Sequence, residues 1–215
     1  MESLSNESHQ KDIKEGITSL ETDLETFKAV NQEFYNSRQE ELQTANKIWE
    51  KARTSLLEIE NKKINVMKSI KSPPVGVMGV GYAVLYLMAG NVPEDCIRLN
   101  EEKELGDVSW EQCQIMLKDF DFLREKMLDL KSLIDEEKLS FEQTKPVREY
   151  LDSPWFHVPS LKLKSIPASQ LAEAVIHIIH YFDIVSEIRL KIKVAIGKSG
   201  TEEENKIYEL QERED

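Results

Sequence analysis

The sequence predicts an all-α fold, namely an antiparallel coiled-coil stalk capped by a small globular helical bundle. Three observations lead to this prediction. A charged segment of about 60 residues carries apolar residues at heptad spacing. A run without charge, opened by two prolines, then interrupts it. A second apolar stripe at helical spacing follows later, so the chain can run out, form a head and return.

The outgoing stalk helix is predicted over residues 1–71. From Lys11 to Lys71 there is no proline, and after Gly16 there is no glycine. The apolar heptad positions are Ile17, Leu20, Leu24, Phe27, Phe34, Ala45, Ile48, Ala52, Leu56, Ile59, Val66 and Ile70. Three polar residues, Asn31, Arg38 and Lys63, fall in the pattern and either weaken the seam or set its register. A four-residue step near Ala52 is a stutter, which locally unwinds a coiled coil.

The uncharged run from Ser72 to Pro93 allows three interpretations. A membrane span needs about 20 apolar residues, and the run from Val75 to Ala89 is shorter than that. Its glycines have the order GxxGxG and follow a charged helical pattern instead of a strand, which argues against a phosphate loop. A buried helix is favoured, because Pro73 and Pro74 can open a helix and the following residues are apolar on nearly every side.

A helical head and a returning helix complete the predicted organisation. Short helical patterns recur between residues 94 and 170, with Ser109 and Ser140 as predicted N-caps. From Pro167 onward an apolar stripe contains Leu171, Val175, Ile178, Phe182, Val185, Ile188, Ile192 and Ala195, and Gly197 and Gly200 interrupt it. We therefore predict an outgoing helix over 1–71, a head over 72–175, and a returning helix with an acidic tail over 176–215.

Charge and composition exclude several classes of function. The net charge of −12 does not suit a protein that coats nucleic acid. The first residues are polar and lack the apolar segment of a secretion signal. Cys96 and Cys113 form no CxxC pair and are predicted to be reduced thiols of a cytosolic protein. We predict no nucleic-acid partner and no membrane partner.

One group of side chains offers metal-ligand chemistry. Glu173, His177 and His180 lie at i, i+4 and i+7 on one helix face, and Asp183 adds a fourth possible ligand. No second helix supplies a recognisable partner motif, so polar surface residues are the favoured interpretation, and we predict no metal and no cofactor. The sequence also contains no GxSxG nucleophile motif and no Walker A motif, so the chain is predicted not to be an enzyme.

Four segments carry a family resemblance in their order and spacing. KSIKSPPVGV, from Lys68 to Val77, is similar to a Lys-Ser-x-Lys-x-Pro-Pro-x-x-Val junction. SWEQCQIMLKDFDFL, from Ser109 to Leu123, is similar to a segment that places Trp, Leu, Asp and Phe-Leu at these intervals. The segment 147–175 resembles a turn into a returning helix, and FDIV at 182–185 resembles the Tyr-Asp-x-Val that follows. Together they resemble the stalk and microtubule-binding domain of dynein heavy chains.

The resemblance implies a function and a binding surface. Dynein stalk tips bind tubulin, whose surface is acidic, through basic residues of the first and last head helices. On matching positions it implies microtubule contact by Lys68, Lys71, Val75, Met78, Lys162, Lys164 and Ser169, with Pro73 and Pro74 as a structural hinge. It further implies an affinity set by coiled-coil register, and a place in the cytoplasm and cytoskeleton, with the cilium or flagellar axoneme as an open alternative.

The charges support this function and also an alternative to it. From Trp155 to Ala172 no residue is acidic, so a positive face exists within an acidic chain. Met78, however, stands where the family usually has lysine. The alternative is a coiled-coil scaffold or interaction protein that kept the fold and lost strong microtubule binding. Besides tubulin, the predicted partners are therefore a second coiled coil or the rest of a dynein heavy chain.

Overall fold

The computed structural model describes residues 32–34, 36–93, 97 and 108–211, with side chains up to residue 195. The chain divides into two compact units, Met1–Gln43 and Thr44–Asp215. In the described part of the first unit, residues 32–34 and 36–43 are helical. Arg38 there forms an ion pair with Glu41 at 3.0 Å. The heptad positions predicted between residues 17 and 31 lie outside the described residues.

The described part of the second unit consists of helices and their connections, without a strand. Its first helix, α1, comprises residues 44–57 of a helical stretch that covers 36–57. The others are α2 (Asn61–Lys68), α3 (Val75–Met88), α4 (Trp110–Met116), α5 (Phe120–Asp135), α6 (Phe141–Leu151), α7 (Val158–Lys164) and α8 (Ile166–Gln211). The prediction of an all-α fold is confirmed.

The outgoing helix α1 and the returning helix α8 pack in antiparallel directions along the predicted seam. The buried residues of the outgoing side include Ala45, Ile48, Ala52, Leu56 and Ile59. On α8 the predicted stripe is buried from Leu171 to Ile188 at each of its six positions. The rings of Trp49 and Tyr181 lie 5.4 Å apart between centroids and join the two helices. The heptad pattern therefore predicted this seam correctly as far as Ile59.

A break at residues 58–60 interrupts the outgoing helix, although the heptad pattern predicted no break there. Beyond it, Ile64 and Met67 are buried, whereas Val66 is 68% exposed. The predicted seam position at Val66 is therefore wrong. The physical reason is that the non-helical residues change the phase of α2, so that a different side of this helix faces the core.

The uncharged run forms α3, which is buried as predicted. Its apolar residues Val77, Val80, Ala83, Val84, Leu85, Leu87 and Met88 are all within the core. Helices α4, α6, α7 and α8 pack around it. An apolar helix surrounded by other helices explains why this run needs no charged side chains. Within the described residues, no helix is both long and apolar enough to cross a bilayer.

The helix ends in the head follow the predicted caps. Ser109 Oγ accepts a hydrogen bond from the Gln112 amide at 3.3 Å, and Ser140 Oγ accepts one from the Gln143 amide at 3.3 Å. The returning helix α8 is continuous from Ile166 and passes through both glycines that interrupt its apolar stripe. The predicted boundary between head and returning helix, at 175/176, falls inside this single helix.

Candidate functional site

Two prolines, Pro73 and Pro74, lie at the junction between the outgoing helix and the head, where a hinge is predicted. Helix α2 ends at Lys68 and α3 begins at Val75, so residues 69–74 connect them. Pro73 is buried and Pro74 is the N-cap of α3. The Pro74 carbonyl accepts hydrogen bonds from the amides of Val77 at 2.9 Å and Met78 at 3.1 Å. The prolines therefore stop one helix and start the next.

Helix α4 holds this junction from the side. Trp110 Nε1 donates to the Ile70 carbonyl at 2.9 Å, and Gln114 Nε2 donates to the Lys68 carbonyl at 2.6 Å. Both carbonyls follow the end of a helix, where intrahelical partners are lacking. Lys71, which lies one residue beyond Ile70, is exposed, whereas Lys68 is half-buried. The backbone that carries both predicted basic residues is thus fixed by the head.

The start of α3 places the two apolar residues of the predicted site. Val75 is 60% exposed, so it is available for contact. Met78 is half-buried, and its sulfur lies 3.8 Å from the Tyr82 hydroxyl. Met78 therefore packs partly against its own helix.

Helix α7 lies beside the start of α3 and carries the other two lysines. Leu161 is buried, and its Cδ2 atom would lie 3.0 Å from a Cβ atom built on Gly76. Lys162 and Lys164, on either side of the next leucine, are exposed. The structure thus brings α7 and the start of α3 together, and residues 69–74 connect the start of α3 to the end of α2. We call Lys68, Lys71, Val75, Met78, Lys162 and Lys164 the tip residues.

Ser169 is a correction to the predicted site. Its side chain is 3% exposed, and its hydroxyl donates to the Ile166 carbonyl at 2.8 Å. A buried serine in the first turns of α8 cannot contact a partner directly, because neighbouring atoms cover it. The position follows from the resemblance alone, whereas the apolar stripe that the sequence predicts begins two residues later, at Leu171.

Two exposed apolar residues at the tip were missed by the sequence reasoning. Leu163 is 91% exposed between Lys162 and Lys164, and Ile166 is 44% exposed at the start of α8. The sequence signal was the alternation LKLK, in which one leucine of a short helix must face outward if the other is buried. Leu161 takes the buried place, so Leu163 lies outside.

The metal-ligand group on α8 is used for other contacts. His177 Nδ1 lies 2.8 Å from the Glu173 carbonyl oxygen. Asp183 accepts two hydrogen bonds from Arg148 of α6, one of them at 3.1 Å. Among the residues that the structure describes, no group of three or more His, Cys, Asp or Glu side chains is arranged to hold a metal ion. His177 and Asp183 are therefore engaged in contacts within the protein.

A family model described as the microtubule-binding stalk of the dynein motor matches residues 10–212 of this chain. A solved structure, the microtubule-binding domain of dynein-c, superposes with a TM-score of 0.52 and 24% identity. The superposition covers 72% of this chain and 95% of the dynein-c chain. This likeness shows that the helical architecture is shared.

Curated relatives agree with the family model. The dynein alpha chain of the flagellar outer arm from Chlamydomonas reinhardtii is 28% identical over 155 residues, which are 72% of this chain. Dynein axonemal heavy chain 9 from Homo sapiens is 25% identical over 163 residues, or 75% of this chain. The matched part is about 3% of the length of each relative. This chain belongs to the family of microtubule-binding stalks of dynein motors.

Proposed function

We propose that this chain binds microtubules through the tip residues together with Leu163 and Ile166. The observation that carries the proposal is the geometry of α7. Its buried Leu161 packs beside Gly76, while Lys162, Leu163 and Lys164 remain exposed on a stretch without any acidic residue. A basic surface on a chain of net charge −12 favours an acidic partner, and the tubulin surface is acidic.

The proposal extends to the larger protein in which such a stalk functions. The relatives are dynein heavy chains of flagella, cilia and axonemes, and this chain corresponds to a small part of each. We therefore propose that it serves a dynein motor of the cytoskeleton, in a cilium or flagellum, and performs no catalytic step of its own. Its partners are tubulin and the rest of the heavy chain. The proposed division of the chain is an outgoing segment over 1–71, a head over 72–175 and a returning segment over 176–215. Affinity would depend on the register of the two stalk helices.

The experiment is microtubule cosedimentation of the full chain across a salt series. We expect binding that weakens as salt rises, because surface charges are screened. The double variant Lys162→Glu/Lys164→Glu should bind about tenfold more weakly at low salt, which corresponds to about 1.4 kcal/mol. The matched control is Lys47→Glu/Lys51→Glu, which makes the same change of charge at exposed positions of α1.

The second candidate function is a coiled-coil scaffold that has lost strong microtubule binding. It is favoured by Met78, which is half-buried against Tyr82 where the family usually has lysine. No binding of the unmodified chain at low salt would support the scaffold. Equal loss in both double variants would show that the affinity follows total charge instead of the tip, which contradicts the proposed surface.

A further inference from the structure

Helix α5 forms hydrogen bonds to both arms of the stalk, which are the outgoing arm (α1 and α2) and the returning arm (α8). The two contacts lie far apart along α5. Near its start, Arg124 contacts the outgoing arm at the break between α1 and α2. Near its end, Asp135 contacts the returning arm, α8. These two residues are 11 positions apart, or about 16 Å along a helix. A rigid helix with a fixed contact at each end constrains how the two arms lie relative to each other.

The contact with the outgoing arm is a set of hydrogen bonds that the Arg124 guanidinium donates, which we call the Arg124 fork. Arg124 Nε donates to the Leu56 carbonyl at 3.2 Å, and Nη2 donates to the Ile59 carbonyl at 2.8 Å and to Asn61 Oδ1 at 3.0 Å. The three acceptors lie before, within and after the break at residues 58–60. The guanidinium therefore takes the place of intrahelical partners that the break removes.

Neighbouring side chains orient this guanidinium. Asp121 Oδ1 accepts from Arg124 Nη1 at 2.6 Å, and Asp121 Oδ2 accepts from Asn61 Nδ2 at 2.6 Å. The guanidinium also lies over the Phe120 ring, with its central carbon 4.7 Å from the ring centroid. A planar fork that is stacked and paired in this way has a single favourable orientation.

The contact between α5 and the returning arm involves a second group of side chains. The Tyr181 hydroxyl donates to Asp135 Oδ1 at 2.5 Å and accepts from Lys131 Nζ at 2.9 Å. Arg189 donates to the Asp135 carbonyl at 2.6 Å and pairs with Glu137 at 3.3 Å. Tyr181 also contacts Trp49 in the seam, so the end of α5 is tied to the place where the arms meet.

We propose that α5 is a strut, that is, a rigid helix that fixes how the two arms lie relative to each other. Arg124 is the residue of α5 that positions the outgoing arm. An axial displacement of one arm past the other has to break the Arg124 fork or the contacts of Asp135 and Glu137. Since α2 leads directly to Lys68 and Lys71, the strut also sets where the outgoing arm delivers these tip residues. This last consequence rests on the proposed microtubule binding, whereas the constraint on the arms does not.

The first test measures the separation of the arms in the full chain. Nitroxide labels are attached to Lys47→Cys on α1 and Leu190→Cys on α8, both at exposed positions. Cys96 is replaced by serine, and Cys113 stays unlabelled because burial raises the pKa of its thiol to about 12. We expect pulsed electron paramagnetic resonance of this labelled chain to give one narrow distribution of distances between the two labels.

The variants then remove the strut at either end. Arg124→Ala should broaden the distribution or add a second distance, and Arg124→Lys should do the same because an ammonium cannot form the fork. Tyr181→Phe/Arg189→Ala should have a similar effect, and adding Arg124→Ala to it should change little more. The matched control is Lys126→Ala on the same helix, which removes a lysine paired with Asp129 of α5 itself. Unchanged distances in folded Arg124→Ala and Arg124→Lys would overturn the strut.

The second test is microtubule affinity of the same variants. Arg124→Ala should weaken binding about fivefold or more, the range of typical coupling between sites. The slope of microtubule affinity against salt concentration should not change, because every lysine of the tip residues is kept. Altered arm distances with unaltered affinity would overturn the link to the tip residues. Absence of binding by the unmodified chain would remove the proposed function and leave the distance test to decide on the strut.

Discussion

The ring of Trp155 lies across the backbone of α3 at Gly79. A Cβ atom built on Gly79 would be 1.9 Å from Trp155 Cζ3 and 2.2 Å from Cη2. No side chain fits at that distance, so a glycine is required for the helix and the ring to pack together. The indole also contacts Tyr150 and Phe156 and cannot shift without disturbing them.

We predict that Gly79→Ala lowers the free energy of unfolding by about 2 kcal/mol. Overpacking of a core typically costs about 1–3 kcal/mol, and the alanine recovers up to about 1 kcal/mol of helix propensity. Chemical denaturation followed by circular dichroism measures the difference. In the background of Trp155→Leu, which removes the ring, the same substitution should cost less. Additive effects of the two substitutions would contradict the clash.

Cys113 is a buried thiol on α4 that points at another glycine of α3. Its sulfur would lie 2.7 Å from a Cβ atom on Gly81. Burial raises the pKa of the thiol from 9.0 to about 12, because the apolar surroundings disfavour the thiolate. The group therefore serves packing and is not a nucleophile near neutral pH.

This pKa shift predicts a loss of stability at alkaline pH. The folded state holds the thiol proton more tightly than the unfolded state does, so its contribution is complete below pH 9 and decreases as pH rises towards 12. The unfolding free energy of the unmodified chain should fall more steeply between pH 9 and 11 than that of Cys113→Ala. Parallel curves for the two proteins would contradict the assignment of this slope to Cys113.

Among the helices of the head, α6 begins with a reciprocal cap at Ser140, which the sequence predicts to be an N-cap. Ser140 Oγ accepts from the Gln143 amide, and the Gln143 side chain accepts from the Ser140 amide at 2.9 Å. Two amides that the helix cannot pair internally are thereby satisfied.

We predict that Ser140→Ala destabilises the protein by about 1 kcal/mol, which is typical of a lost N-cap. The control is Ser132→Ala, an exposed serine inside α5, which should change the stability by less than about 0.5 kcal/mol. Thermal unfolding of the three proteins provides the comparison. Equal melting temperatures for the unmodified chain and Ser140→Ala would show that the cap contributes nothing.

Apolar periodicity predicts the buried side of only part of the outgoing arm. Its heptads predicted the buried positions up to Ile59, because apolar spacing alone decides which side of a regular helix is covered. The break that follows is hydrogen-bonded by Arg124, which lies more than 60 residues later in the sequence. No local pattern contains that contact, so the exposure of Val66 and the burial of Ile64 could not be predicted.

At the scale of the whole molecule, one core runs through the second unit. The buried cluster begins at Ala45, includes α3 and continues along α8 to Val185. We predict that a chain lacking residues 1–43 keeps its near-ultraviolet circular dichroism and unfolds cooperatively, since the described core begins at Ala45. A shift of the melting temperature of more than about 10 °C would contradict this prediction. The unmodified chain under the same conditions is the reference.

Local sequence patterns are sufficient to predict the helical class, the order of the outgoing helix, head and returning helix, the burial of the uncharged run and the double-proline junction. Each depends on periodicity, composition or backbone restrictions of neighbouring residues, which act over a few positions. The lysines among the tip residues are predicted from their residue type and their resemblance to a known family, and their role stays a proposal.

Long-range packing determines which candidate residues are exposed and which contacts join the head to the two arms. It buried Ser169, exposed Leu163, and placed Trp155 against Gly79. It also joined Arg124 to the break in the outgoing arm. These features depend on contacts between residues that are distant in the chain, and such contacts exist only once the helices have packed.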